Sequence, residues 1–242
     1  MMDRLDQYCA RYRDMSGNEY SYFLCLGCGI VDRDEDRSVP GHACPVCGVA
    51  TCGNRMFFRL GATIIIQLIE TSYFRWPEQS SHDEVSRRRR EELRNSATLI
   101  FFCTLKELLL ETFTEDIMEA LHLNQEERTC LREEYSTHSK RLHGLLPTLI
   151  KTSWQDALSS LPIERREQYC TLDRFLKDAT KRRNDLLHDA NWLASDDEIA
   201  TSCVRAIPQI LELYVDLHNQ FVHPLMKDER NTSRAGLTSG CT

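Results

Sequence analysis

Four cysteines near the start of the chain carry metal-ligand spacing. Cys25-Leu-Gly-Cys28 and, fifteen residues later, Cys44-Pro-Val-Cys47-Gly48 each put two sulfurs on one tight turn. Two such turns supply the four donors that a tetrahedral zinc ion takes. Gly29 and Gly48, each following a second cysteine, let the backbone turn beneath the metal. A module of about thirty residues has too small a core to fold without a staple, so one structural zinc ion is expected. Four thiolates close the coordination sphere and leave no place for an activating water, which makes the site a support and not a catalyst. His42 and Cys52 are the substitute ligands within reach.

A second constellation lies late in the chain, where Arg183-Asn184-Asp185-Leu186-Leu187-His188 closes a helix expected to begin near Glu164. Arg183 falls where the stripe Leu172, Leu176, Ala179 calls for its next apolar residue, so its guanidinium faces a packed surface and needs partners. Asn184 and His188, four apart, share a helix face. Arg183 and His188, five apart, stand about 140° apart on an ideal helix. Their direct cooperation requires a distorted last turn, the reach of the arginine, or a second subunit. An imidazole exchanges a proton near neutral pH, and a guanidinium pairs with phosphate oxygens in a forked geometry. The alternative is structural: Arg183 pairs with Glu107 or Glu111 on a neighbouring helix while His188 caps the helix end. Glu107, among Leu105, Leu108 and Leu109, is expected to be a partly buried acid. His138 with His143, and His218 with His223, have no companions at ligand spacing and read as surface or helix-end histidines.

The elements that position these groups are mostly helical. Residues 22–54 are short extended pieces broken by Gly27, Gly29, Gly41, Pro45, Gly48 and Gly53. Met56 to about Trp76 is strongly apolar, and its length favours a helix over a strand. Pro77 to Asp83 is a polar turn. From Ser86 an apolar pattern runs through Phe102, Leu105, Leu109, Phe113, Ile117 and Ala120 at intervals of three and four, the mark of a central bundle helix. Further helices are expected at about 125–142, 145–160 and 164–187. Ser195 with Glu198 reads as a capping box opening a last helix through Ile199, Cys203, Ile207, Ile210, Tyr214, Leu217 and Phe221, kinked at Pro208. The expected division is 1–54 with the zinc module, 55–84 as a connecting helix and loop, 85–226 as an all-helical domain and 227–242 as a flexible tail.

An Arg-Asn-x-x-x-His hexapeptide late in an all-helical domain, after a long apolar helix with an isolated acid, resembles the HEPN superfamily, the "higher eukaryotes and prokaryotes nucleotide-binding" domains. The resemblance covers residues 85–226, with Arg183, Asn184 and His188 at the motif positions and Glu107 as an auxiliary acid. It implies an all-α HEPN bundle and a metal-independent endoribonuclease that cuts its RNA substrate through the 2′-hydroxyl. It also implies a homodimer with the active cleft at the interface, and a role as a toxin or in antiviral defence beside an antitoxin or other defence protein. Residues 22–54 resemble zinc ribbons, which implies a knob that binds nucleic acid or protein. A non-catalytic binding module is the competing reading.

Composition bounds the rest. The 242 residues carry 30 Lys and Arg against 37 Asp and Glu, a formal net charge of -7, so any contact with phosphates must use local clusters such as Arg87–Arg90 or Lys181–Arg183. With Glu91 and Glu92 beside them, the four arginines read as a solvated helix start. The charged opening, Met1 to Ser21, lacks an export signal's apolar core, so a cytoplasmic protein without a disulfide framework for its 11 cysteines is expected. No membrane span is expected, because Lys106 and Glu107 interrupt the apolar run from Leu99 to Leu110. Neither a Gly-x-x-x-x-Gly-Lys loop, a His-Glu-x-x-His zinc set nor a Gly-x-Ser-x-Gly elbow occurs, which disfavours nucleotide hydrolysis, zinc hydrolysis and serine hydrolysis.

Overall fold

The computed structural model describes residues 12–13, 19–20, 22–32, 43–49, 54–74, 83–189, 191 and 194–226. His42, Cys52, the 75–82 connection and the 227–242 segment lie outside the described residues.

The architecture is all-α, with a few very short strands at the start. Strands β1 (Tyr12–Arg13) and β2 (Glu19–Tyr20) pair antiparallel, and β3 (Phe23–Cys25) is flanked by β4 (Val31–Asp32) and β5 (Asn54–Met56) in an antiparallel sheet. Its register sets Leu24 opposite Val31 and Cys25 opposite Asn54, so the first ligand ends a paired strand. The helices are α1 (Leu60–Phe74), α2 (Glu84–Ala120), α3 (Gln125–Glu134), α4 (His138–Lys140), α5 (Leu146–Ile150), α6 (Trp154–Ser160), α7 (Ile163–His188) and α8 (Asp197–Leu217). A π turn, Arg141–Leu145, joins α4 to α5, and a second, His218–Val222, follows α8.

The apolar stretch after Met56 is the helix α1, as its length indicates. The helices expected at 125–142 and 145–160 are each interrupted, because their polar residues act as caps. Asn124 and Glu127 form a reciprocal capping box at α3, Thr137 accepts from the Lys140 N–H, and Ser153 accepts from the Asp156 N–H after Lys151 turns left-handed at φ 58. The cap of α8 is Asp196, one residue later than expected: its Oδ1 accepts from the Ile199 N–H at 2.8 Å. The Ser195 hydroxyl is buried and hydrogen-bonds that of Ser96 at 2.7 Å. Assigned helix continues through Pro208 to Leu217.

By internal contacts the chain divides into two units. Phe58–Leu109 and Glu167–Glu212 belong to the first, where Ile66, Ile69, Leu99, Phe102, Leu105, Leu172, Leu176, Ala179, Cys203 and Ile207 are buried. Rings of Phe102 and Phe175 lie 5.7 Å apart, and Tyr73 hydrogen-bonds Thr201 at 2.7 Å. The second unit contains the described residues of Ser21–Phe57, with Leu110–Arg166 and 213–226. Its buried residues include Phe113, Ile117, Leu145, Leu146, Trp154, Leu158, Tyr214 and Val222, and Glu115, buried on α2, is held in a bidentate pair by Arg132 of α3.

Candidate functional site

In the second unit, the four cysteines converge. Their Sγ atoms all lie within 4.8 Å of one another, with Cys25 to Cys47 and Cys28 to Cys44 both at 3.7 Å. Thiolates around a tetrahedral zinc at about 2.3 Å sit about 3.8 Å apart, whereas a disulfide needs about 2.05 Å. The four can therefore hold one metal ion, and their spacing is compatible with zinc. The two turns share one backbone design: Gly29 N–H donates to Cys25 O at 2.7 Å and Cys25 N–H to Ile30 O at 2.9 Å, while Gly48 N–H donates to Cys44 O and Cys44 N–H to Val49 O, both at 2.8 Å. Gly29 and Gly48 adopt φ of 81 and 70, the left-handed conformation that glycine takes without strain. Burial raises the Cys28 thiol; at Cys44 burial is outweighed by the N–H groups of Cys47 and Val46, which lower it.

The first turn is also held from the C-terminal helix, by residues the sequence reading set aside. Asn219 grips Val31 at both ends of its amide: Val31 N–H donates to Asn219 Oδ1 and Asn219 Nδ2 donates to Val31 O, each at 2.8 Å. His218 is 2% exposed, which corrects its reading as a surface histidine, while its place directly after α8 agrees with the helix-end alternative. Its Nε2 lies 3.0 Å from Gly29 O, and since a carbonyl only accepts, that nitrogen carries the proton. Nδ1 is then a bare acceptor 3.9 Å from Asp116 Oδ2 and makes no hydrogen bond. Burial, foremost, lowers the imidazole to about 4, so the 3.9 Å approach is not an ion pair near neutral pH. The Phe57 ring meets the imidazole edge-on at 4.8 Å. His218 could have been found by the argument applied to Arg183, because it lies four residues beyond Tyr214 on the apolar face of α8.

In the first unit, Arg183 of α7 reaches α2 and pairs with Glu107, Nη1 to Oε1 at 2.7 Å. Its side chain is 20% exposed and that of Glu107 37%. Arg183 Nε donates to Asn184 Oδ1 at 3.3 Å, and Nη2 hydrogen-bonds no described residue. His188, the last residue of α7, is exposed and touches neither Arg183 nor Asn184 by any hydrogen bond. The structure thus joins Arg183, Asn184 and Glu107 and leaves His188 apart. Glu111, the other candidate partner, belongs to the second unit and pairs with Arg141 at 3.4 Å. Of the basic clusters, Arg182 is committed to Asp178 and Asp196, while Arg87 pairs with Glu84 and Arg88 with Glu92, as a solvated helix start does.

Beside this pair lies Lys106, which sequence reasoning treated only as an interruption of an apolar run. It is buried, and its ammonium donates to Thr180 Oγ1 at 2.5 Å. Burial, first of all, lowers the pKa of the ammonium; Cys103, Glu107 and Asp173 oppose that and Arg183 adds to it. The signal for it in sequence is a lysine at full helical register inside a buried run, since Phe102, Leu105, Leu109 and Leu110 around it are all buried.

No family model matches the chain, and neither the curated proteins nor the solved structures contain a match to it. No helix among the described residues is long and apolar enough to cross a membrane.

Proposed function

We propose that this chain is a metal-independent endoribonuclease of HEPN type, a cytoplasmic toxin or antiviral-defence effector working as a homodimer, with zinc as the structural ion of its four-cysteine centre. The observation that carries the reading is the way Arg183 is held. Glu107 fixes Nη1, Asn184 fixes Nε, and Nη2 remains for a ligand at a partly open seam. RNA brings its own nucleophile, so the protein need only move protons and stabilise charge on the phosphorus-centred transition state. Arg183 meets the non-bridging oxygens, Asn184 orients the arginine, and His188, exposed on the face of Asn184, exchanges the proton. Because no hydrogen bond joins Arg183 to His188 within one chain, pairing of two motifs across a dimer cleft supplies the missing proximity. An antitoxin or other defence protein would act on that cleft.

The test is incubation of the purified protein with RNA in the presence of a chelator. Expected are fragments ending in 2′,3′-cyclic phosphate and 5′-hydroxyl, lost in Arg183→Ala and in His188→Ala; cleavage that survives both substitutions refutes the assignment.

One observation favours a second reading, a non-catalytic zinc-ribbon-like module that docks a protein. The tips of the two turns are apolar, with Leu26, Val46 and Val49 exposed at 51%, 53% and 44%, and the described residues 22–32 and 43–49 include no Lys or Arg. Such a surface suits an apolar protein face better than a phosphate backbone. Intact RNA together with loss of partner binding in Val46→Asp would favour this reading.

A further inference from the structure

The seam between α2 and α7 holds a buried ammonium with no carboxylate among its described hydrogen-bond partners. Lys106 is 6% exposed, yet its only hydrogen bond among the described residues goes to a neutral acceptor, Thr180 Oγ1, whose own proton is given to Leu176 O at 2.7 Å. The nearby acids are engaged: Glu107 by Arg183 and Asp173 by Lys177, both at 2.7 Å. An ammonium has three donors, and a buried one with no carboxylate among its described hydrogen-bond partners is costly to hold. Thr180 and Arg183 are one turn apart on α7, and Lys106 and Glu107 are consecutive on α2. The two unused Lys106 donors and the unused Arg183 Nη2 therefore border the same seam, and its rim is open at the partly exposed Arg183 and Glu107 side chains.

We infer that Lys106 and Arg183 together bind a phosphate group, supplied by the phosphodiester backbone of a nucleic acid. This rests on the reading of Arg183 as the phosphate-binding residue of the proposed nuclease, and adds Lys106 as a second ligand to the anion. A tetrahedral phosphate presents several charged oxygens, so it can accept from a point-like ammonium and from the edge of a guanidinium at once. Its arrival gives the buried ammonium an anionic hydrogen-bond partner, and Thr180 positions the lysine by fixing its head.

The experiment titrates the zinc-loaded full chain with inorganic phosphate and, separately, with a 2′-O-methyl oligoribonucleotide that cannot be cleaved. Lys106→Met is expected to weaken both by roughly tenfold or more, and to lower the slope of log affinity against log salt for the oligonucleotide by about 0.7. It should also raise the thermal midpoint in phosphate-free buffer, because it removes an uncompensated buried charge. Thr180→Val, a gentler change, should weaken phosphate several-fold and serves if Lys106→Met folds poorly. Arg174→Met, which removes an exposed charge farther along α7, should change the phosphate affinity by less than about twofold. Phosphate affinity unaltered in Lys106→Met or in Thr180→Val, or no phosphate binding by the wild-type chain, overturns the inference. Binding of free phosphate without the oligonucleotide overturns the nucleic-acid source. Lys106-dependent binding in a chain that cleaves no RNA upholds the anion site and refutes the nuclease, whereas cleavage with Lys106-independent binding does the reverse.

Discussion

Replacing Asn219 should loosen the metal centre from a distance of nearly two hundred residues in sequence. Asn219→Ala removes both partners of Val31 at once, an N–H to Oδ1 bond and an Nδ2 to O bond, each at 2.8 Å and partly buried. Each such bond contributes about 1 kcal/mol net, and a backbone group left buried without a partner costs about 1–3 kcal/mol. Two groups give an expected loss of about 2–6 kcal/mol. Asn219→Asp keeps the acceptor for the Val31 N–H but loses the donor to Val31 O, so its loss should be roughly half of that. Urea unfolding of the zinc-loaded protein, with the slope m unchanged, reads the stability. If the turn must open for the metal to leave, a loss of about 2 kcal/mol also speeds zinc transfer to a chromogenic chelator by about 30-fold. A change below about 0.5 kcal/mol in Asn219→Ala, with unaltered zinc release, would refute the idea that the C-terminal helix holds the first cysteine turn.

Three further outcomes are expected. Burial lowers His218 to about 4 from an ordinary 6.5, so the unfolded chain takes up the proton first on acidification. The stability it contributes is complete above about pH 6.5 and is lost as pH falls through 4, by up to about 3 kcal/mol. His218→Gln, which keeps an N–H donor for Gly29 O, should flatten that limb in pH-dependent unfolding, and an unchanged limb speaks against it. Asp196→Ala should destabilise by about 1 kcal/mol through loss of the α8 cap, measured by helical circular dichroism on heating; if Glu198→Ala costs more, Ser195 and not Asp196 directs the cap. Arg183→Lys keeps a positive charge for Glu107 but not the fork, so cleavage should fall by about 100-fold while stability moves by less than about 1 kcal/mol. Near-normal cleavage by that variant would show that no second arginine nitrogen is used.

Periodicity made the long elements legible. The spacing from Phe102 to Ile117 anticipated α2, and the Leu172, Leu176, Ala179 stripe anticipated both α7 and the inward turn of Arg183. The paired cysteine turns were legible because metal geometry tolerates few spacings and because glycine must follow where φ is positive. Helix ends were less legible. Thr137, Ser153 and Asp196 take backbone N–H groups that identical residues elsewhere ignore, and tertiary neighbours contribute to the choice. The hold on Val31 by Asn219 was invisible in sequence, since an exposed-looking amide after an apolar helix carries no pattern that names a partner 188 residues away.

Pairing of Arg183 with Glu107 does not oppose a catalytic role, because a guanidinium has five donors and the contacts at Nε and Nη1 leave Nη2 unused by any described residue. An arginine free in solvent would lose rotamer entropy on meeting a phosphate, whereas one already fixed at Nε and Nη1 presents Nη2 without that loss. Glu107 also offsets cationic charge at the seam before a ligand arrives, since Lys106 lies one residue away on α2 and hydrogen-bonds, among the described residues, only Thr180. The acid therefore leaves a buried ammonium beside a paired guanidinium, a positive setting that the fold can carry and that can still draw an anion. On this argument the feature that most resembles a plain structural ion pair is also the one that prepares the site.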